Sequence, residues 1–250
     1  MSKDTIWNHI LDTLDLNLDT PITLITSNQI KNCKSTWLGA KCQFEPRLLC
    51  KMDSSNSRPS IFKENNLYLI SIKNGTYALI KENIYVTLPE INLTPLPIQK
   101  IHQSLILEIG DSESSMLDNL QHNKILDEII GEPILYGPLL GGRHRCNFDT
   151  ILGEHQLQIR GSQYETDGCY ETENYICLVE AKSIECLDFN IRQLYYPYRE
   201  VYHKVKDKKN IIALFIYQDK KKFIHIHKYR WDNPQVMMDI NHIGYYSYHV

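Results

Sequence analysis

The chain has 250 residues, 42% of them hydrophobic and 23% charged, with a formal net charge of -3. That length and apolar content allow one large or two small domains with a full core and exclude a disordered tail, while the charge excludes a protein that coats nucleic acid by bulk basicity. No run approaches membrane-spanning length, the opening MSKDTIWNHILDTLDL has acids where a signal peptide would be apolar, and the seven cysteines (Cys33, Cys42, Cys50, Cys146, Cys169, Cys177 and Cys186) form no Cys-x-x-Cys pair, so reduced thiols in a cytoplasm are expected.

Ile6, Trp7, Ile10, Leu11 and Leu14 recur at helical spacing, which predicts an opening amphipathic helix with Asp4 as its cap. A second short helix is expected after Thr26 or Ser27, through Ile30. Leu67 to Ile72 and Thr76 to Ile80 flank Asn74-Gly75, a strong hairpin signal because both turn residues tolerate positive φ. Helices followed by a hairpin suggest a winged-helix-like unit. Residues 21 to 81 hold nine basic groups against three acids, a surface open between DNA-facing and solvated readings. Pro89, Pro95 and Pro97 mark a boundary, giving expected domains at 1–98 and 99–250.

Beyond it, Asp111 or Ser112 can cap one helix through Ile130, with Leu117, Leu120 and Ile125 or Leu126 on its buried stripe. Glu113 projects toward the core side, where a carboxylate needs a partner; a first-turn acid favoured by the helix dipole is the alternative. Gly141-Gly142-Arg143-His144-Arg145 reads as a flexible basic turn, with Arg143 and Arg145 available to grip phosphate. Gln156 to Ile159 is expected to open the sheet that carries the next segment.

That segment, QLQIRGSQYETDGCYETENYICLVEAK from Gln156 to Lys182, is where the acids concentrate. Side chains two apart on a strand share a face, so Glu165 goes with Asp167 and Glu180 with Lys182. A turn at Thr172-Glu173-Asn174-Tyr175, centred between Glu173 and Asn174, sets Asp167 opposite Glu180 and Glu165 opposite Lys182. Opposed carboxylates repel each other unless a cation lies between them. Tyr175 to Ala181 is apolar on both faces apart from Glu180, as in a covered central strand, where an unpaired charge is costly. A divalent metal resolves the conflict; the bland alternative is a solvated hairpin with a Glu165 to Lys182 ion pair.

From Asn190 to Val205, Ile191, Leu194, Tyr195, Tyr198, Tyr202 and Val205 form a helical stripe that would cover the sheet. Pro197 should kink this helix or begin a new segment, and Arg192 and Arg199 lie off the stripe, free to meet DNA or the acidic cluster. Ile211 to Tyr217 reads as a buried strand with Lys222 to Tyr229 as its edge partner across the turn Asp219-Lys220-Lys221. His225 and His227 share one face with no third ligand nearby in sequence, so a satisfied or exposed pair is expected in place of a metal site. Residues 1–100 carry 11 basic and 9 acidic groups, 101–200 carry 7 and 17, and 201–250 carry 9 and 4. An acidic middle between basic ends suits a metal site with phosphate-contacting flanks, or ordinary surface charge.

Strand, turn, an apolar strand ending in Glu-Ala-Lys and then a helix resembles the PD-(D/E)XK nuclease superfamily, with Asp167 as the leading acid and Glu180-Ala181-Lys182 as the ExK element. Thr166 stands where the superfamily's motif begins with proline. The segments Gly142-Arg143, Gln163 to Asp167, Gly168 to Glu171 and Arg192 to Arg199 look like those of bacterial type II restriction endonucleases in that superfamily. The similarity is densest from Ser112 to Arg199. It implies an α/β (α+β) class with a restriction-endonuclease-like mixed β-sheet flanked by helices. Residues 1–98 would then serve DNA recognition and 99–250 catalysis.

By the same resemblance the activity would be Mg2+-dependent hydrolysis of double-stranded DNA at or near a short specific sequence, with Mn2+ able to substitute. Asp167, Glu180 and the Ala181 carbonyl would be the metal ligands, and Lys182 would position or deprotonate the attacking water. Glu165 and Glu113 would serve a second metal or the outer shell, and Gln193 resembles the glutamine that orients such sites. Arg143, Arg145, Arg192 and Arg199 are the candidate DNA contacts. The expected partners are duplex DNA, a second copy of the chain in a homodimer and a cognate DNA methyltransferase, with no membrane. Two alternatives stay open: a repair or defence nuclease of the same fold that recognises DNA structure, and a non-catalytic DNA-binding protein. A sugar or nucleotide hydrolase is disfavoured because it leaves Lys182 without a duty.

Overall fold

The computed structural model describes residues 3–39, 43–101 and 112–249. Along the first part of the chain lie α1 (Lys3–Leu14), β1 (Ile22–Thr26), α2 (Ser27–Asn32), α3 (Pro46–Leu49), α4 (Ser60–Glu64), β2 (Tyr68–Lys73), β3 (Thr76–Ile80), β4 (Tyr85–Thr87) and β5 (Leu96–Pro97). Then come α5 (Glu113–His122), α6 (Ile125–Ile130), β6 (His144–Leu152), β7 (His155–Tyr164), β8 (Gly168–Glu171) and β9 (Tyr175–Lys182). The remainder is β10 (Asp188–Asn190), α7 (Arg192–Val205), β11 (Asn210–Gln218), β12 (Phe223–Trp231) and β13 (Ile240–His249). The architecture is mixed α+β, with mixed sheets flanked by helices.

Period-two alternation decides the layering. In the β2 and β3 hairpin, Leu69 and Leu79 pack with Trp7, Ile10 and Phe62 of the N-terminal helices, while Ile70, Ala78 and Ile80 pack on the other side with Phe148, Ile159 and Tyr196. β9 and β11 alternate likewise: Leu178, Ala213 and Phe215 join the cluster around α7, and Cys177, Val179, Leu214 and Ile216 join Met116, Leu120 and Leu126 of α5 and α6. The order through the molecule is therefore N-terminal helices, a five-stranded sheet (β1-β3-β2-β7-β6), α7, a six-stranded sheet (β5-β13-β12-β11-β9-β8), then α5 and α6. A two-stranded ribbon of β10 and β4 sits beside α7, where Phe189 stacks on Phe215 with centroids 4.3 Å apart.

α1 buries Ile6, Trp7, Ile10 and Leu11 as its spacing predicts, but Asp4 lies inside the first turn and its carboxylate accepts from the Ser60 N–H. The helix after Thr26 forms with a Thr26 and Gln29 capping box. The hairpin at Asn74-Gly75 forms, with Gly75 at φ 71°; β1 pairs with β3, and β7 runs parallel to β2. That sheet joins residues on either side of the proline-rich run at 88–98, within which Leu96–Pro97 adds a short strand parallel to β13.

Three sequence expectations are corrected, and one is narrowed. The helix foreseen through Ile130 breaks after Asn123, where Lys124 takes a left-handed φ of 63°, so α5 and α6 are separate; Ser112 is the cap, accepting from the Ser115 N–H at 3.1 Å, and Asp111 lies outside the described residues, as do Lys41 and Cys42. Gln156 to Ile159 belongs to β7 of the five-stranded sheet, paired with β6, and not to the sheet that holds β9. β12 is not an edge, because the polar and aromatic run Ile240–His249 pairs along its whole length. Of the two outcomes expected for Pro197, the start of a new segment does not occur, because α7 continues through it to Val205.

The burial of α7 on nearly all sides also corrects the placing of Arg199. Sandwiched between β6 and β7 on one side and β9 and β11 on the other, the helix buries Tyr196 and Val201 as well as Leu194, Tyr195 and Tyr198 of the expected stripe, with Tyr202 and Val205 partly buried. Arg199 is only 3% exposed, donates to the Asp149 carbonyl at 3.1 Å and lies over the Phe148 ring at 5.4 Å. It is therefore part of the core and no DNA contact. Replacing it with alanine should leave that carbonyl without its donor and remove packing, lowering stability by about 2–3 kcal/mol, whereas Arg145→Ala, at an exposed position, should stay within about 0.5 kcal/mol of wild type. Urea unfolding of the two variants checks this; equal midpoints would remove Arg199 from the core.

Candidate active site

The β8 and β9 ladder adopts the register expected from the turn, with Gly168 opposite Val179 and Glu171 opposite Ile176. The turn itself is clamped from α6's far end by Glu132, which accepts from the Thr172 hydroxyl at 2.7 Å, the Asn174 N–H at 3.0 Å and the Asn174 side-chain amide at 2.7 Å. One step beyond the ladder, Asp167 donates its N–H to the Val179 carbonyl at 3.2 Å and accepts the Ala181 N–H on Oδ2 at 2.7 Å. Its carboxylate thus takes over a backbone role and is held beside Glu180.

Glu180 lies on the α7 face of β9, flanked across the parallel ladder by Phe215. It is 7% exposed, and its Oε1 accepts from both the Lys182 ammonium and the Gln193 side-chain amide. Lys182 also donates to the Ala181 carbonyl at 3.1 Å. From the opposite side, Glu113 at the start of α5 accepts the Ser183 N–H at 3.3 Å. Asp167, Glu180, Lys182, Gln193 and Glu113 therefore come together from four separate places in the chain.

The electrostatics follow from burial. Desolvation is the largest influence on Glu180 and pushes it up to about 7; Lys182 opposes that rise and Asp167 adds to it. For Lys182, burial disfavours the charge, but Glu180, followed by Asp167 and Glu113, holds the ammonium above its usual range.

Glu165 departs from the expected register. After Tyr164 the chain leaves the five-stranded sheet for the six-stranded one, and the buried Thr166 hydroxyl, bonded to the Gly168 carbonyl at 2.9 Å and the Val179 carbonyl at 3.1 Å, fixes that crossing. Glu165 consequently points to solvent and pairs with Arg143 at 2.6 Å, not with Lys182. Arg145 is exposed on β6, while Arg192 is half-buried, donating to the Gln163 carbonyl at 2.5 Å and lying over the Tyr196 ring at 5.3 Å. The sequence reading weighed His225 only with His227 and Tyr217 only as a strand end, and did not place either beside Lys182, although Tyr217 is the direct neighbour of Lys182 on β11 and His225 the next along on β12. Parallel pairing through a helical crossover leaves no local register signal.

Among the described residues no group of three or more His, Cys, Asp or Glu side chains is gathered closely enough to hold a metal ion. Mg2+, however, takes hard oxygen ligands and is commonly held by one or two carboxylates with waters and substrate phosphates completing its shell. Asp167 Oδ1 and Glu180 Oε2 have no hydrogen-bond partner among the described residues, and with the Ala181 carbonyl they form such an oxygen set. The residues fit the ion by donor chemistry.

Between pH 4.5 and about 7 the folded chain keeps a proton on Glu180 that the unfolded chain releases. In metal-free buffer this contribution is fully present below pH 4.5 and is lost as pH rises through 7, at most about 3 kcal/mol. Unfolding of wild type and Glu180→Gln, compared from about pH 4 to about pH 8, should show wild type losing stability relative to the variant as pH rises. Parallel curves would mean that folding leaves the protonation of Glu180 unchanged.

The comparisons with known proteins divide the chain in two. A model described as Domain of unknown function (DUF6996) matches residues 4–79, and one described as Domain of unknown function (DUF6997) matches residues 80–249. The two matched segments meet at the end of β3, inside the sheet that they share. No curated protein and no solved structure matches the chain. The second match spans more than half of the chain and includes Asp167, Glu180, Lys182, Gln193 and Glu113, so the chain belongs to the DUF6997 family.

Proposed function

We propose that the chain is a Mg2+-dependent nuclease of the PD-(D/E)XK superfamily, of the type II restriction endonuclease kind, hydrolysing phosphodiester bonds of double-stranded DNA at or near a short specific sequence. The observation that carries this reading is the convergence of two carboxylates on adjoining chain segments, a lysine two residues after the second, a glutamine from the following helix and a glutamate from the preceding one. A restriction-endonuclease-like reading of the six-stranded sheet accords with it: β9 and β11 are adjoining interior strands with β8 at the edge beside β9, and α5 and α7 cover opposite faces.

Asp167, Glu180 and the Ala181 carbonyl would hold Mg2+, which when bound supplies Lewis acidity toward phosphate oxygen and makes hydroxide accessible at neutral pH. The chain's own groups do the rest. Lys182 is a half-buried cation beside the reacting position, where it can donate to a phosphate oxygen as charge develops during in-line attack. Gln193 donates its amide to Glu180 and keeps a buried Oε1 without a partner, an acceptor that can fix the orientation of the attacking water. Glu113 holds the chain just after Lys182 through the Ser183 N–H and adds to the negative field that keeps the lysine protonated. Cutting both strands calls for two such sites, hence a homodimer on DNA, and a self-protecting host calls for a cognate methyltransferase.

Plasmid DNA incubated with and without Mg2+, with sequencing of the ends, tests the reading. Discrete fragments with 5'-phosphate and 3'-hydroxyl ends are expected only with the ion, and Asp167→Asn and Lys182→Met should each lower cleavage by at least about 10²-fold while unfolding as cooperatively as wild type. Cleavage that survives both substitutions would end the assignment; cutting confined to branched DNA would move it to a structure-selective nuclease on the same site.

A further inference from the structure

The end of the six-stranded sheet that holds Lys182 also holds a basic turn that the proposed chemistry does not use. Across the ladders, Lys182 of β9 pairs with Tyr217 of β11, and Tyr217 pairs with His225 of β12. The three side chains therefore share one face, over two strand spacings or roughly 10 Å. The Tyr217 and His225 rings stack, centroids 4.7 Å apart and planes within 19°, and the His225 Nδ1 lies 2.6 Å from the Tyr245 hydroxyl.

The turn between β11 and β12 is built, not loose. The Asp219 carboxylate accepts the N–H groups of Lys221 and Phe223, each at 2.8 Å, and lies 3.3 Å from His225 Nε2. Lys222 takes a left-handed φ of 66° and donates its N–H to the Asp219 carbonyl at 3.0 Å. So the one acid of the turn is spent on backbone and histidine, and Lys220 and Lys221 are turned outward and exposed. Lys220 comes within 3.8 Å of Glu185, a contact between exposed groups that a polyanion would readily displace. Residues 201–250, with 9 basic against 4 acidic groups, place this turn in the most basic part of the chain.

We infer that the β11 and β12 turn, with Lys220 and Lys221 beside the Tyr217 and His225 wall, is a phosphate track that holds the nucleic-acid strand as it leaves the Glu180 and Lys182 site. The inference rests on the nuclease reading for the identity of the polyanion, and on the geometry of the sheet end for its location. Lysines on a rigid turn in line with the lysine of the site would meet successive phosphates of one strand and add affinity without sequence preference.

Binding of a fluorescent duplex oligonucleotide, measured by anisotropy in EDTA across a salt series, separates the possibilities. Lys220→Ala/Lys221→Ala should weaken binding and flatten the plot of log affinity against log salt by roughly 1–2, since each phosphate contact contributes about 0.9. Lys206→Ala/Lys208→Ala removes the same charge from exposed positions at the opposite end of β11 and should leave the slope unchanged. An unaltered slope in the first pair, or equal losses in both, overturns the track. If wild type binds and the first pair flattens the slope, but Asp167→Asn cuts DNA as well as wild type with Mg2+, the track stands and the nuclease reading falls. If wild type neither binds nor cuts DNA, both fall.

Discussion

A carboxylate buried against a phenylalanine is the constraint around which this part of the molecule is arranged. Glu180 sits on a strand that, Lys182 apart, is built of apolar and aromatic side chains, with Phe215 beside it across the ladder, and such a group is costly unless it is neutralised and hydrogen-bonded. The fold supplies both remedies on one oxygen, through Lys182 from the same strand face and Gln193 from the helix above. Two alternating residues, Glu180 and Lys182, can pair this way only because the strand directs both toward α7. The same geometry brings Asp167 in from the adjoining segment, and its bond to the Ala181 N–H stops it from swinging away.

α7 explains why so much else follows. A helix between two sheets has little outward face, and it must fill both sides with side chains that suit the sheet opposite. Toward β6 it presents Tyr195, whose hydroxyl lies 2.7 Å from the Thr150 hydroxyl, and Arg199, whose guanidinium lies over Phe148. Near its start it presents Gln193 to the other sheet. An arginine that looks solvent-facing in a helical wheel drawn for one buried face becomes core material when a second sheet covers the helix, and a tyrosine stripe becomes a hydrogen-bonded joint between layers.

The proposed chemistry gives a function to groups that would otherwise be stability costs. Glu180, a buried carboxylate, retains one oxygen without a partner among the described residues, and Gln193 keeps a buried acceptor unpaired. Buried polar atoms without partners are uncommon in finished structures and collect where a ligand or water belongs. The lysines beyond Tyr217 extend this logic outward, from a site that handles one phosphate to a surface that handles its neighbours.

How much was legible in the sequence depended on how local the signal was. Binary alternation in β9, the Thr172 to Tyr175 turn and the spacing of Glu180 and Lys182 are short-range, so the register that sets Asp167 near Glu180 could be read residue by residue, and Asn74-Gly75 gave away its hairpin for the same reason. Only the tertiary structure decided which sheet each strand joined. Gln156 to Ile159 carries the same alternation in either sheet; Glu165 follows the strand rule until the buried Thr166 turns the chain between sheets; and the break at Lys124 rests on one left-handed residue. The parallel pairing that aligns Lys182 with Tyr217 joins segments separated by a whole helix, and nothing in either segment alone specifies it. Side-chain periodicity fixes faces because it is a property of the backbone, whereas the partners of those faces are chosen by packing across the layers, which no single stretch of sequence contains.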